Sequence, residues 1–366
     1  MNAPNILAIN PGSASTKIAL FYETEPLLMR SITHDPADLA ACGKEIWSQV
    51  ELRLKSIESE LEGCGLRLDK IEAVVGRGGL LRPMAGGSYR VNEQMLEELR
   101  RGERGQHASN LGAFLAQSIA SRIGVPAYIV DPVSVDEWTA KARLSGCAQL
   151  DRPCLSHALN SKAIARRHAH ERGEQYEKLR LVVAHLGSGN TISAHECGRM
   201  IDATNSREEG SFSTERAGGV PAMELVRLCF SGRYTKAQVE QMLIREGGLI
   251  SYLGTGDLRE VERRIAQGDA RAELVFDAMA YQIVKEIGAM ACVLGGKVDA
   301  ILLTGGMAHS RRLTEAITCS VSWIAPVRVY AGEDELRALA EGALRVLHHE
   351  EAAHEFGEAR REGTLV

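Results

Sequence analysis

Ile6-Leu7-Ala8-Ile9-Asn10-Pro11-Gly12-Ser13-Ala14-Ser15-Thr16-Lys17, continued by Ile18-Ala19-Leu20-Phe21-Tyr22, is the stretch that decides the fold. An apolar run of strand formers enters a turn of glycine and hydroxyl residues, and a second strand pattern leaves it. Small residues let backbone N–H groups approach an anion, and the hydroxyls of Ser13, Ser15 and Thr16 add donors. The exit from the turn excludes one obvious reading. A P-loop needs G-x-x-x-x-G-K-[ST] running into a helix; here the second glycine is absent and a strand follows. A plain surface hairpin is the alternative to a phosphate-binding turn.

The same design recurs downstream. Residues 181–186 read as a strand, Gly187-Ser188-Gly189-Asn190 as a turn, and residues 191–195 as another strand. A dinucleotide-binding fold would place a helix after the glycines, whereas Thr191-Ile192-Ser193 is β-branched and alternating. Each half also holds a later strand that ends in glycines. Residues 70–75 run into Gly76-Arg77-Gly78-Gly79, and residues 298–303 run into Thr304-Gly305-Gly306, whose exposed backbone can pack on an adenosine ring. Helical periodicity marks residues 36–62, 107–123, 270–294 and 335–358, with glycine stops at Gly63 and Gly124. Residues 360–366 read as frayed. A strand at residues 127–130 delivers Asp131 at its C-terminal end. This order predicts an internally duplicated α/β chain.

A length of 366 residues suits two domains of roughly 150–200 residues. The expected division is residues 1–133 with a returning helix from about 335 to 366, and residues 134–334. A net charge of -5 argues against nucleic acid or an anionic membrane as the main partner. The eight cysteines form no C-x-x-C pair and no zinc-finger spacing, which predicts free thiols in a reducing compartment. No run reaches the ~20 apolar residues of a membrane span, and the N-terminus lacks signal-peptide features. A soluble, cytoplasmic protein is expected.

Taken together, the two turns and the strand ending in Thr304-Gly305-Gly306 resemble the acetate and sugar kinase, actin and chaperone ATPase superfamily. Residues 6–17 are similar to the N-terminal signature of the acetate kinase family. Gly76-Arg77-Gly78-Gly79-Leu80-Leu81-Arg82-Pro83, Ser156-His157, residues 185–189 and residues 298–310 carry the resemblance further. The Arg77 block with Tyr89-Arg90-Val91-Asn92 is similar to butyrate kinases. The resemblance spans residues 6 to about 346. It implies two actin-like (ribonuclease H-like) domains with a central interdomain cleft, ATP and Mg2+ as cofactors, a short-chain carboxylate as substrate, and a homo-oligomer.

The implied reaction explains which side chains matter. A carboxylate with a pKa near ~4–5 is ionised at neutral pH and needs no general base. The site must instead supply positive charge, a metal and alignment. Arg77 and Arg216 each sit among glycines that would give a guanidinium room, and a planar fork suits carboxylate and phosphoryl oxygens. The resemblance implies that they hold the substrate carboxylate and the transferred phosphoryl group, that His157 stabilises that group, and that Asp131 orients an arginine or a metal-bound water. It places His107 near the substrate. Asn10, Gly12, Ser13, Ser15, Lys17, His185, Gly187, Ser188, Gly189, Gly305 and Gly306 are the expected nucleotide and phosphate contacts. Asn10 and Glu333 are the expected metal residues, with Asp334 or Glu335 as alternatives to Glu333. Acetate kinases carry a bulkier branched residue where Gly79 aligns, so glycine would widen the acyl pocket for butyrate or isobutyrate. Three other readings stay open: an acetate or propionate kinase, a kinase for a hydroxyl acceptor with Asp131 as base, and an ATP-binding module without catalysis, as in actin or a chaperone.

Overall fold

The computed structural model describes residues 4–64 and 68–357. The reading of residues 360–366 as frayed lies outside the described residues. The chain divides into two compact units, Met1–Asp136 with Asp334–Val366, and Glu137–Glu333. Each is built on one sheet.

In the first unit, the opening run forms β1 (Asn5–Pro11), and the chain returns as β2 (Ser15–Tyr22) and β3 (Glu25–Thr33). Then come β4 (Ile71–Arg77), β5 (Ser88–Arg90) and β6 (Ala127–Val130). Ile6, Leu7, Ala8 and Ile9 are all fully buried, because β1 is central and covered on both faces, which demands an unbroken apolar run. It pairs antiparallel with β2 and parallel with β4. The helix Leu111–Ile123 stops at Gly124, whose φ of 75° is the left-handed cap the sequence predicts.

The second unit repeats the plan with β7 (Arg180–His185), β8 (Thr191–Glu196), β9 (Arg199–Ala203), β10 (Ala300–Gly305) and β11 (Val327–Ala331). A short β12 (His354–Glu355) returns to the edge of the first sheet. The orders are β12-β5-β6-β4-β1-β2-β3 and β11-β10-β7-β8-β9. The segment β3-β2-β1-β4-β6 therefore matches β9-β8-β7-β10-β11 in both order and strand direction. The predicted α/β duplication is present as two sheets of the same design.

Two predicted elements differ, and two strands were not predicted. The helix expected over residues 36–62 is broken into Pro36–Ala41 and Val50–Gly63. Between them Gly43 adopts a φ of 116°, which no helix accommodates. The helix expected over 335–358 ends at Leu347, because the backbone turns left-handed at His349 (φ 60°) and then forms β12. The third strands of the two meanders, β3 and β9, carried no clear apolar alternation. Among the described residues no helix is long and apolar enough to cross a membrane, and all eight cysteines are free.

Candidate active site

In the first unit the expected site residues gather at the C-terminal ends of β1 and β4. Ile9 pairs with Gly76 across the two parallel strands, so Asn10 and Arg77 lie side by side in register. Glu335, the first residue of the helix Glu335–Leu347, reaches both. Its carboxylate accepts a hydrogen bond from Asn10 Nδ2 at 2.5 Å and forms an ion pair with Arg77 Nη1. Arg77 Nε is buried without a hydrogen-bond partner, so half of the guanidinium fork is unused.

Sequence left three acids open as metal residues, and the structure separates them. Glu335 meets Asn10; Asp334 caps its helix by accepting from Arg337 N at 3.1 Å; and Glu333 lies 3.3 Å from His185 Nε2. Glu335 is thus the alternative that reaches Asn10, while Glu333 faces His185. A carboxylate beside an amide offers hard oxygen donors that fit Mg2+ carried on nucleotide phosphates.

The glycines around Arg77 have a different purpose from the one expected. A Cβ on Gly76 would overlap the Gly112 backbone, one on Gly78 would crowd Pro132, and one on Gly79 would overlap Asn110. These glycines let β4 and its exit loop lie against the helix Leu111–Ile123 and the loop after β6. They do not make room for the guanidinium. The Gly79 reading is corrected most directly. The volume a branched residue would take is filled by buried Asn110, whose side chain accepts from Leu80 N at 2.9 Å and donates to Gly105 O at 3.0 Å.

His107 caps the turn before that helix, its Nδ1 accepting from Ser109 N at 3.2 Å. Partial burial and then the Arg77 charge lower its pKa, so it is neutral at pH 7. Asp131 follows Val130, the partner of Arg77 in register. Its backbone is left-handed (φ 36°), and its carboxylate accepts from Gly87 N at 2.7 Å. In the first turn Gly12 N donates to Ser15 O at 2.7 Å, Ser13 is exposed, and exposed Lys17 pairs with Asn10 across the hairpin.

In the second unit the site forms around the turn between β7 and β8. His157, at the start of the helix Ala158–Glu171, stacks on His185 with ring centroids 4.0 Å apart, and its Nδ1 lies 2.9 Å from Thr191 Oγ1. Asn160 Nδ2 donates to His185 Nδ1 at 2.9 Å. That fixes the tautomer: the His185 proton sits on Nε2, facing Glu333. Gly187 lies against this contact, since a Cβ there would stand 3.4 Å from both His185 Nε2 and Glu333 Oε1.

Asn190 ties the turn to the next loop, donating to Ser211 Oγ and Phe212 O at 3.0 and 3.1 Å. Ser213 Oγ donates to Ser188 O and accepts from Arg216 N. Arg216 then folds back over Gly189, where any Cβ would overlap its guanidinium. The glycine that makes room for Arg216 is thus Gly189, across the site, and neither Gly218 nor Gly219. Arg216 Nη1 donates to Ser206 O and Oγ at 2.9 and 2.8 Å. No carboxylate among the described residues pairs with it. Burial, with the charge of Arg207 added, lowers its pKa, which marks a desolvated cation.

Gly305 (φ 89°) packs on the Leu186 backbone, and Met307 N donates to Leu186 O at 3.0 Å. A Cβ on Gly306 would meet nothing within 4 Å, so that face is open. Ser206, Ser213 and Asn160 were absent from the residues expected from sequence. Each acts through tertiary contact and carries no spacing signal of its own.

Residues 155–325 match the Acetokinase family. That segment contains His157, His185, the Gly187–Asn190 turn, Arg216 and Gly305. Solved acetate and propionate kinases share the fold along nearly the whole chain. Acetate kinase from Porphyromonas gingivalis superposes with a TM-score of 0.78 at 18% identity, covering 94% of this chain and 100% of that one. Acetate kinase from Entamoeba histolytica gives 0.72 at 16%, with 92% and 98% covered. Propionate kinase from Francisella tularensis subsp. tularensis gives 0.68 at 20%, with the same coverage. The chain has the two-domain acetate kinase fold, of the actin-like ATPase type.

Proposed function

We propose that the protein is an ATP-dependent carboxylate kinase that forms an acyl phosphate reversibly from a short-chain fatty acid. The observation that carries this reading is Arg216. A partly desolvated guanidinium lies on a Gly-Ser-Gly-Asn turn, is anchored by Ser206, and forms no ion pair with a carboxylate among the described residues. Such a cation is suited to a phosphoryl group that gains charge as it transfers. Arg77 takes the substrate carboxylate, because a planar guanidinium matches a pair of carboxylate oxygens. His157, oriented by Thr191 and by the His185 ring, donates to the phosphoryl group in flight.

Phosphate contacts are assigned to the turns at Asn10–Lys17 and Gly187–Asn190, and the adenosine to the open face at Gly306. Asn10 and Glu335 hold the Mg2+, which offsets charge on the nucleotide phosphates. A hydroxyl acceptor is less well supported. It would need a general base, and the Asp131 carboxylate is already engaged by the Gly87 N–H.

Within this class we assign butyrate or a branched relative such as isobutyrate. The assignment rests on the similarity of residues 76–92 to butyrate kinases, because Asn110 fills the space beside Gly79. Initial rates with acetate, propionate, butyrate, isobutyrate and valerate decide it. The expected optimum lies at four carbons, and an optimum at acetate refutes the chain-length assignment while leaving the carboxylate kinase reading intact.

A further inference from the structure

Arg53 lies directly beneath the first phosphate turn, on the helix Val50–Gly63, and is fully buried. All five of its N–H donors are used. Nε and Nη2 donate to Gln49 Oε1 at 3.3 and 3.0 Å, and Nη2 also donates to Ser13 O at 3.1 Å. Nη1 donates to Ser15 O at 3.0 Å and to Thr16 Oγ1 at 2.9 Å. Every acceptor is neutral, and no carboxylate among the described residues pairs with it. A buried cation without a counter-charge is costly, and such a cost calls for an explanation.

The turn supplies one. Arg53 draws the carbonyls of Ser13 and Ser15 toward the protein interior. In a trans peptide the N–H points opposite to its carbonyl, so the Ala14 N–H is turned away from Arg53. The N–H groups of Ser13 and Ala14 have no protein acceptor among the described residues, and both residues are exposed. His34 holds the other side. Its N donates to Ala14 O at 2.9 Å, and its Nε2 lies 2.8 Å from Thr16 Oγ1.

We propose that Arg53 is a positioning residue for nucleotide binding: it fixes the backbone of the first phosphate turn and lends that turn a positive charge that no acid cancels. The proposal rests on the reading of Asn10–Lys17 as a phosphate turn. It also extends that reading, since the charge serving the turn comes from a buried helix residue outside the motif.

The test separates charge from scaffolding. Gln49→Glu keeps an oxygen acceptor for Nε and Nη2 but places a carboxylate against the guanidinium, cancelling its charge. ATP binding with Mg2+ is measured by calorimetry on the full chain, beside the melting temperature. The expected result is an unchanged or raised melting temperature with ATP affinity weakened about tenfold, the size of one screened charge at close range. KM for ATP should rise far more than kcat falls. Arg53→Lys and Arg53→Gln form the second comparison: Lys, which retains the charge, should bind ATP several-fold more tightly than Gln. Wild-type affinity in folded Gln49→Glu, or equal affinity in the Lys and Gln variants, overturns the proposal. Absence of ATP binding in the wild-type protein would instead remove the phosphate-turn reading itself.

Discussion

Replacing Arg216 by alanine should separate catalysis from stability to an unusual degree. Two hydrogen bonds to Ser206 are lost, and bonds from a charged donor are worth about 1.5–3 kcal/mol each. Against this, the variant no longer has to desolvate a half-buried cation that forms no ion pair among the described residues, a cost of the same order. The two contributions nearly offset, so the stability change should stay within about 2 kcal/mol. The reaction has no such compensation. Loss of an arginine that stabilises a transferring phosphoryl group costs about a thousandfold or more, roughly 4 kcal/mol of barrier. The assay is the initial rate of acyl phosphate formation, beside a thermal melt of the same preparation. Arg216→Lys should fall between, because an ammonium keeps the charge but cannot both reach Ser206 and present a planar fork. A folded alanine variant that loses less than about tenfold in rate removes Arg216 from the mechanism. A melting temperature that collapses in step with activity shows that its role is structural.

Gly79→Val should destabilise the protein by several kcal/mol, because its side chain would collide with buried Asn110; a shift in acid preference with an unchanged melting temperature contradicts the Asn110 contact. Glu335→Gln should raise the Mg2+ concentration needed for half-maximal rate by about tenfold or more, since an amide oxygen lacks the negative charge that a carboxylate brings to Mg2+, and an unchanged requirement excludes Glu335 as the metal carboxylate. Acid should weaken the fold through histidines. Burial and then Arg53 lower the pKa of His34, burial and then Arg77 that of His107, and burial and then Arg172 that of His168, each below the ordinary 6.5. The unfolded chain therefore takes up these protons first, so stability is full above about pH 6.5 and falls as the pH drops toward the folded values. The melting temperature should be lower at pH 5.5 than at 7.5, with a flatter profile in His34→Gln; identical profiles in the two proteins contradict the His34 assignment.

The parts of this fold that could be read from sequence are those where burial imposes a pattern. β1 and β7 are covered on both faces, so residues 6–9 and 181–184 had to be apolar throughout, and the turns that follow them were visible as breaks in that rule. β3 sits at a sheet edge, where only Leu28 and Ile32 touch the core and Glu25 or Arg30 is tolerated, while β9, also an edge strand, buries Met200, Ile201 and Ala203 yet begins with Arg199. The candidate site divides in the same way. Motif residues could be named, but partners could not. Residues 332–335 offer three acids within one turn of chain, and only the contacts of Asn10, Arg77 and His185 sort them. The glycines beside Arg77 and Arg216 were visible as glycines, yet sequence does not say which neighbour a missing Cβ admits. For Arg216 that neighbour relation runs to Gly189, 27 residues away in the chain. Arg53 was hidden for a related reason, as a charged residue on a helix normally marks the solvated face.

Trapping the product with hydroxylamine tests the central claim most directly. Butyrate, ATP and Mg2+ incubated with the protein should yield butyryl hydroxamate and ADP in equal amounts, with the yield lost in Arg77→Ala and in Arg216→Ala. ATP binding without hydroxamate from any acid of two to five carbons would contradict the assignment as a carboxylate kinase.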